Sequence, residues 1–553
     1  MSYIRPQSAK HTPWGLLDWC LLLLAGISAL CCCVTVFHTS LHLMDNESAA
    51  DMMLAYRIFS TRQWLPDNWY IDADHGLFGN YLAFVPFFGI FSDWRKVRFF
   101  GTLLQIGCLM LFFLYLCKKA KYTRKATLLG STLLLLPTSI AYGRNVLYHT
   151  SDVPYITLSF LSVALLLALW ENLEKKTSPY HFVFQSVALL LISFCGGLNH
   201  FRQAAVMLLP LLLACFSLAI HDLPLLKTDA SRRKIYLFII PVIIMAFAAG
   251  WLLRSLLVAA HTATASSEPV KGDWILWGNQ LLYSYLHTLG YRHRVIVTSL
   301  YGLLAIASLG SAFILTWRGL HFFFHKGYPM PSATRFTAMM YPAGIIGMIL
   351  LSFITSRGSD GWFWLPAYIW ALPFLLSWIS YPMPKGYNVY QSKHPLLLLF
   401  TCCVMTLNGF TNTLTFLQPS RFTQYYDGGE WFFINTADYL QPLRAHLMDN
   451  HYTKGYCTSH IGNVLSELSS GQLETTSIHI ASDGSLHWVD HLTDQTIRSS
   501  ISSKPFLVIE WAHREAFEAS AARNACIPLM EGVDFIAYEV VDEEALLALL
   551  GES

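Results

Sequence analysis

The residues best equipped for chemistry stand close together near the start of the chain. In "MDNESAAD" (44–51), three acids, Asp45, Glu47 and Asp51, fall within a few residues of one another, just after the long apolar run "WGLLDWCLLLLAGISALCCCVTVF". A carboxylate beside a lipid surface can take a proton from an acceptor hydroxyl or amine. A second carboxylate two residues away can orient the acceptor or bind a hard divalent cation. Asp45 and Glu47 are therefore the candidate catalytic pair. They are also the candidate ligands of a divalent metal ion, the one cofactor this reading raises. Asp51 has a structural explanation. Ser48 and Asp51 form an S-x-x-D capping pattern, and Met52, Met53, Tyr56 and Phe59 have the spacing of an amphipathic helix lying along a membrane surface. On that reading Asp45 and Glu47 precede the cap and have no structural task.

Three arginines are the next candidates. Arg144, Arg202 and Arg357 each sit in a short connection between apolar runs. Guanidinium matches phosphate oxygens in geometry and charge, so these arginines are candidate ligands for a lipid phosphate. A lone loop arginine that reaches up to lipid headgroups is the alternative. Asp152, just before Pro154, could cap the next helix or belong to the site. His200, beside Arg202 in "NHFR", reads as structural. Arg357 and Asp360 share the Gly-rich turn "TSRGSDGWFW".

These residues need a membrane scaffold. The chain has 553 residues, of which 54% are hydrophobic, 14% aromatic and 13% charged. Soluble domains carry roughly 25% charge. A net charge of +2 leaves no basis for a nucleic-acid partner. The first apolar run is too long for a signal-peptide core and has no small-residue cleavage site. Eleven segments are long and apolar enough to span: about 14–37, 98–117, 126–142, 153–170, 182–198, 203–220, 235–258, 295–317, 337–355, 363–381 and 395–417. "YLAFVPFFGIF" (81–91) is too short and is expected to be interfacial or re-entrant. With that choice, the N-terminus and the connections on its side hold 18 Lys and Arg, the bias expected of cytoplasmic loops. The predicted topology has the N-terminus inside and the acidic motif outside.

The expected fold is an all-α polytopic membrane domain (1–417) followed by a small outward-facing soluble α/β domain (418–553). The first outward loop is 38–97 and a second long one is 259–294. In the tail, "GEWFFINTADYLQPLRAHLMDN" has helical spacing, while "TTSIHIA", "PFLVIEW" and "FIAYEVV" read as strands. Of twelve cysteines, only Cys457 and Cys526 lie outside the apolar region. Whether the two pair as a disulfide is left open by the sequence and depends on the tail facing an oxidising compartment. No Cys/His pattern suggests zinc, and no P-loop or GxGxxG fingerprint is present.

A D-x-E signature in the first outward loop of a protein with about eleven spans resembles the GT-C superfamily of membrane glycosyltransferases, of the protein-mannosyltransferase and aminoarabinose-transferase kind. The resemblance covers roughly residues 14–260. In the family, a His-containing segment often closes the first loop; here it is "DADHGLFGNYLAFVPFF", with His75. The prolines that usually follow that His are replaced by Gly76 and Leu77. "YGRNVLYHTSDVPY" supplies the Arg and Asp, Arg144 and Asp152, and "GGLNHFRQAAVMLLPLLL" supplies Arg202.

The resemblance implies a polyprenyl-phosphate-linked sugar as donor and a glycan, lipid or protein as acceptor. It implies inverting transfer on the outer face of a bacterial inner membrane, with Asp45 as general base beside Glu47. Arg144, Asp152, Arg202, Arg357 and His75 would bind substrate or the donor phosphate. Two other functions compete. A flippase for lipid-linked sugars would place charges within spans, where Asp18 and Arg254 are the main ones. An O-antigen polymerase or ligase would rely on a late outward loop, for which 259–294, with its Trp274, Trp277, Tyr283, Tyr285, Tyr291, Arg292 and Arg294, is a partial match.

Overall fold

The computed structural model describes residues 13–42, 44–66, 69, 76–175, 179–221, 234–258, 274–292, 298–325, 330–355, 364–381, 394–417, 426–427, 430–431, 436–458, 461–489, 498 and 504–551. His75, Arg294, Arg357 and Asp360, and the side chains of Trp274 and Trp277, lie outside what is described.

Among the described residues, nine helices are long and apolar enough to cross a membrane. The chain is an integral, multi-pass membrane protein. The first is α1 (Leu16–His42). A turn leads to α2 (Asn46–Thr61), which carries the acidic motif and is not one of the spans. The expectation that 81–91 does not span agrees with the structure: it forms two short helical turns, Asn80–Ala83 and α3 (Val85–Phe88). The second span, α4 (Trp94–Lys119), follows.

The third expected span, 126–142, is not one straight helix. It is broken into α5 (Arg124–Leu135) and a second piece that begins at Ile140 and turns by 80°. Pro137 explains the break. A residue before proline is pushed out of the helical region, and Leu136 is extended, with φ −103° and ψ 138°. The backbone groups exposed there find partners, as apolar surroundings require. Asn412 Nδ2 donates to the Pro137 carbonyl at 2.6 Å, and the Tyr142 hydroxyl donates to the Leu134 carbonyl at 2.7 Å. The second piece runs into a widened helical turn, Gly143–Tyr148, which delivers Arg144 and then His149. Turns of this kind recur at functional sites.

Val153–Lys175 is the most enclosed span, with 83% of its apolar window buried. It packs on α4 and on Pro179–Leu198. Pro179–Leu198 packs in turn on Ile240–Val258, Leu209–His221 on Ser332–Thr355, Ser332–Thr355 on Leu365–Ser380, and Leu300–Phe324 on His394–Phe416.

The tail is a mixed sheet with helices. A small hairpin pairs β1 (Tyr426–Asp427) with β2 (Glu430–Trp431). The helix expected from "GEWFF" onward therefore starts later, at Thr436, and ends at Asp449. The main sheet contains β3 (Lys454–Thr458), β4 (Glu474–Ile480), β5 (Leu486–Trp488), β6 (Pro505–Glu510), β7 (Cys526–Glu531) and β8 (Phe535–Val540). Their order is β5-β4-β3-β6-β8-β7. The central β3 runs parallel to β4 and β6, and the outer pairings are antiparallel. The three strands expected from alternating β-branched patterns are β4, β6 and β8. Cys457 and Cys526 are free and buried. They lie on β3 and β7, with β6 and β8 between. Three strand spacings make roughly 14 Å, beyond the reach of a disulfide.

The start of α2 is clasped between the two parts of the molecule. Met44 and Ala49 belong to the apolar core of the tail, together with Leu440, Leu443, Val464 and Leu465. Ala50, Met52, Met53 and Leu54 pack instead on Tyr81, Phe84, Trp94 and Val97. The apolar face expected to lie on lipid is thus covered by protein at its N-terminal half.

Candidate active site

The acidic motif folds differently from its expected cap. Asp45, not Ser48, is the N-cap of α2. Its Oδ1 accepts from the Ser48 backbone N–H at 2.8 Å, and its own N–H donates to Ser48 Oγ at 3.2 Å. This reciprocal box satisfies donors that a helix start otherwise leaves unpaired. Asp51 lies one turn further on and is buried, its Oδ2 accepting from Asn80 Nδ2 at 2.7 Å. Asn80 also donates to the His149 carbonyl at 3.1 Å. The motif's two structural acids are therefore Asp45 and Asp51, and Asp45 has a structural task after all.

Capping uses only one Asp45 oxygen. Arg144 donates from Nη2 to the other, Oδ2, at 2.6 Å. His149 Nδ1 stands 3.2 Å from the same oxygen. Burial alone would raise the Asp45 carboxyl; His149 and Arg144 outweigh it and hold the carboxyl well below the usual carboxylate range. Sequence reasoning passed over His149, although it stands in the quoted "YGRNVLYHTSD". The left-handed Thr150 behind it, φ 55°, is the local signal of an unusual turn.

Glu47 is exposed to solvent, although surrounding protein atoms still desolvate its carboxyl. Burial pushes its carboxyl up and the Asp45 charge adds to the push, while Arg144 and Arg202 pull the other way. Glu47 thus lies in the field of both arginines.

The second pair is Asp152–Arg202. Arg202 Nε lies 3.3 Å from Asp152 Oδ1. The guanidinium also covers the Tyr155 ring, 5.4 Å from its centroid. Asp152 is 5% exposed, and its Oδ2 has no hydrogen-bond partner among the described residues. Its carboxylate is turned to Arg202 rather than spent on a helix cap. Burial raises its carboxyl and Arg202 only partly offsets this.

The Arg202 turn is held firmly. Gln203 Nε2 donates to the Tyr155 carbonyl at 3.1 Å and to Ser159 Oγ at 2.9 Å. Asn199 Oδ1 accepts from the Phe78 N–H at 2.8 Å. Gly76 packs so tightly on this corner that a Cβ would come within 2.7 Å of Asn199 Oδ1. His200 is left-handed, φ 60°, and lays its ring on Trp251 with centroids 4.3 Å apart.

Of the sequence candidates, Asp45, Glu47, Arg144, Asp152 and Arg202 come together at one end of the bundle. Arg292 stands elsewhere: it donates to Asn412 and covers Tyr301.

The Asp45–Glu47 pair does not fit a divalent cation in this arrangement. The Asp45 oxygen that is not capping the helix faces a guanidinium and an imidazole. Among the described residues no group of three or more His, Cys, Asp or Glu is placed to hold a metal.

The fold is an apolar multi-helix bundle with an acidic helix start beside the first span and a small mixed sheet after the last. Solved structures share this fold over nearly the whole chain. ArnT from Cupriavidus metallidurans in the apo state matches at a TM-score of 0.53 and 12% identity, covering 97% of this chain and 100% of that one. ArnT from the same organism bound to undecaprenyl phosphate matches at 0.54 and 11% identity, covering 95% and 98%. No family model matches the sequence, and no curated protein matches it.

Proposed function

We propose that this chain is a membrane glycosyltransferase that moves a sugar from a polyprenyl-phosphate donor to a glycan, lipid or protein acceptor on the outer face of a bacterial inner membrane, with inversion. The observation that carries the reading is the paired site: two carboxylate–arginine couples, Asp45–Arg144 and Asp152–Arg202, with Glu47 in the field of both arginines. The neighbour whose structure holds undecaprenyl phosphate supports the donor class.

In this mechanism the donor phosphate competes with Asp45 for Arg144. Guanidinium is well suited to phosphate oxygens. As Arg144 turns to the phosphate, Asp45 loses one of the two partners that keep its proton affinity low, retains His149, and becomes a more competent general base. Asp45 then takes the proton of the acceptor nucleophile. The acceptor atom forms its bond to the anomeric carbon as the bond from that carbon to the phosphate oxygen breaks. The electron pair leaves with the polyprenyl phosphate, whose charge Arg144 and Arg202 stabilise. Glu47 orients the acceptor. His75 and Arg357, which the sequence reading assigned to substrate, keep that assignment as part of the proposal.

The test is product formation by the purified protein in lipid with a labelled polyprenyl-phosphate sugar. Label transferred to an acceptor and lost from the lipid supports the reading. Movement of intact donor across the bilayer with no transfer would replace it with the flippase reading.

A further inference from the structure

Arg98 and Glu467 form the most enclosed ion pair in the molecule's interior seam. Arg98 belongs to the first turns of α4, and Glu467 to the short helix Gly462–Leu468 of the tail, 369 residues away. Their side chains are 2% and 0% exposed. The contact is two-pronged: Arg98 Nε donates to Oε1 at 2.6 Å and Nη2 donates to Oε2 at 2.5 Å. Nη2 makes one further bond, to the Ser48 carbonyl at 2.8 Å. Ser48 is the reciprocal capping partner of Asp45. An unbroken chain of bonds thus runs from the tail through Arg98 to Ser48, to Asp45 and on to Arg144.

The surroundings reinforce this seam. The Trp94 N–H reaches Ser470 Oγ at 3.4 Å. Gly471, with φ 78°, lies so close that a Cβ would come within 2.8 Å of the Trp94 ring. Every residue of Gly462–Leu468 is buried. A buried ion pair is poor evidence of stability, because desolvation offsets most of the attraction, and apolar replacements of similar size are often tolerated. What such a replacement cannot supply is the directed bond to Ser48.

We propose that Arg98 and Glu467 are positioning residues, through which the docked tail sets the placement of the Asp45–Glu47 end of α2 for catalysis. This rests on the transferase reading of the site. Neither residue touches substrate. Their effect runs through the cap, and small displacements of catalytic groups are costly: about 1 Å can cost on the order of a hundredfold in rate.

The experiment uses the full-length protein in lipid nanodiscs and the double variant Arg98→Met/Glu467→Met, which removes both charges at similar volume. Two readouts are taken. Backbone hydrogen exchange over residues 46–52 is expected to rise, with thermal melting kept near wild type. In sugar transfer, kcat is expected to fall about tenfold or more, with KM for the donor within about twofold. Glu467→Gln, which keeps an acceptor for Arg98, is expected to stay near wild type in both readouts. Should the double variant fail to fold, Arg98→Lys carries the test: it keeps the charge but cannot hold Glu467 and the Ser48 carbonyl together. It is expected to raise exchange over 46–52 and lower kcat, and wild-type exchange overturns the proposal. Unchanged exchange over 46–52 in a folded variant overturns the proposal, as does a loss that appears wholly in KM. If wild-type protein shows no transfer, the transferase reading falls, and the exchange arm still decides whether the pair positions α2.

Discussion

The two carboxylate–arginine couples at the site are built in opposite ways. Asp45 has both oxygens engaged: one caps α2, the other faces Arg144 and His149. Asp152 has one oxygen 3.3 Å from Arg202 and the other without a partner among the described residues. Asp45 is the more accessible, its side chain 24% exposed against 7% for Asp152. Their proton affinities diverge accordingly, Asp45 held low by its neighbours and Asp152 raised by burial. Pairs of acids whose environments push them apart commonly divide the labour of a reaction. On the proposed mechanism the well-satisfied acid is the one that a ligand would release, and the under-satisfied acid is the one that a ligand would complete.

The largest expected effect is at Asp45. Asp45→Asn should reduce sugar transfer by about 10²–10⁴-fold, the span usual for a lost general base. The helix should persist, because Asn caps about as well as Asp. Transfer assays beside thermal melts check both halves. Asp152→Asn should be milder and fall on binding, raising KM for the donor about tenfold with little change in kcat.

The same two variants should separate in the pH dependence of stability. A carboxylate held low in the folded state contributes stability above its unfolded pKa, and this is lost as pH falls through the folded value. Asp45 is that case. A carboxyl raised in the folded state contributes stability below its unfolded pKa, and this is lost as pH rises through the folded value. Asp152 is that case. From about pH 2 to about pH 7, Asp45→Asn should therefore become more destabilising relative to wild type as pH rises to about 4 and level off above that, while Asp152→Asn should become progressively less destabilising above about pH 4. Melting curves of the three proteins across that range would show parallel behaviour if the contrast were false.

Ser48→Ala is the smallest perturbation. It removes the acceptor of the Asp45 N–H while leaving the Ser48 N–H to be capped, at a cost of about 0.5–1 kcal/mol. Transfer should fall only a few-fold. Denaturant or thermal melts measure the first effect and initial rates the second.

Much of this was legible in the sequence. Helix length and apolarity marked the spans, and D-x-E, Arg144, Asp152 and Arg202 were visible because charge is rare in so apolar a chain. The cap was misread because both "DNES" and "SAAD" offer a capping pair at a spacing of three, and helical periodicity is the same for either. Burial decides between them, and burial is a tertiary property: Asp51 is drawn to Asn80 instead. The break at Pro137 was carried by a rule about residues before proline, which apolarity over 126–142 obscured. His149 and the Arg98–Glu467 pair could not be read locally. Their partners lie far along the chain, and no periodicity in one segment reports on a residue in another.

The central claim is that the donor phosphate frees Asp45 from Arg144. It is tested most directly by the pH dependence of transfer, since kcat/KM reports the free enzyme and kcat the enzyme with substrate bound. In wild-type protein the acid limb of kcat should lie at higher pH than the acid limb of kcat/KM, because Asp45 gains proton affinity once Arg144 turns to the phosphate. Acid limbs that coincide would mean that Asp45 keeps its partners when the donor binds, and would contradict the account.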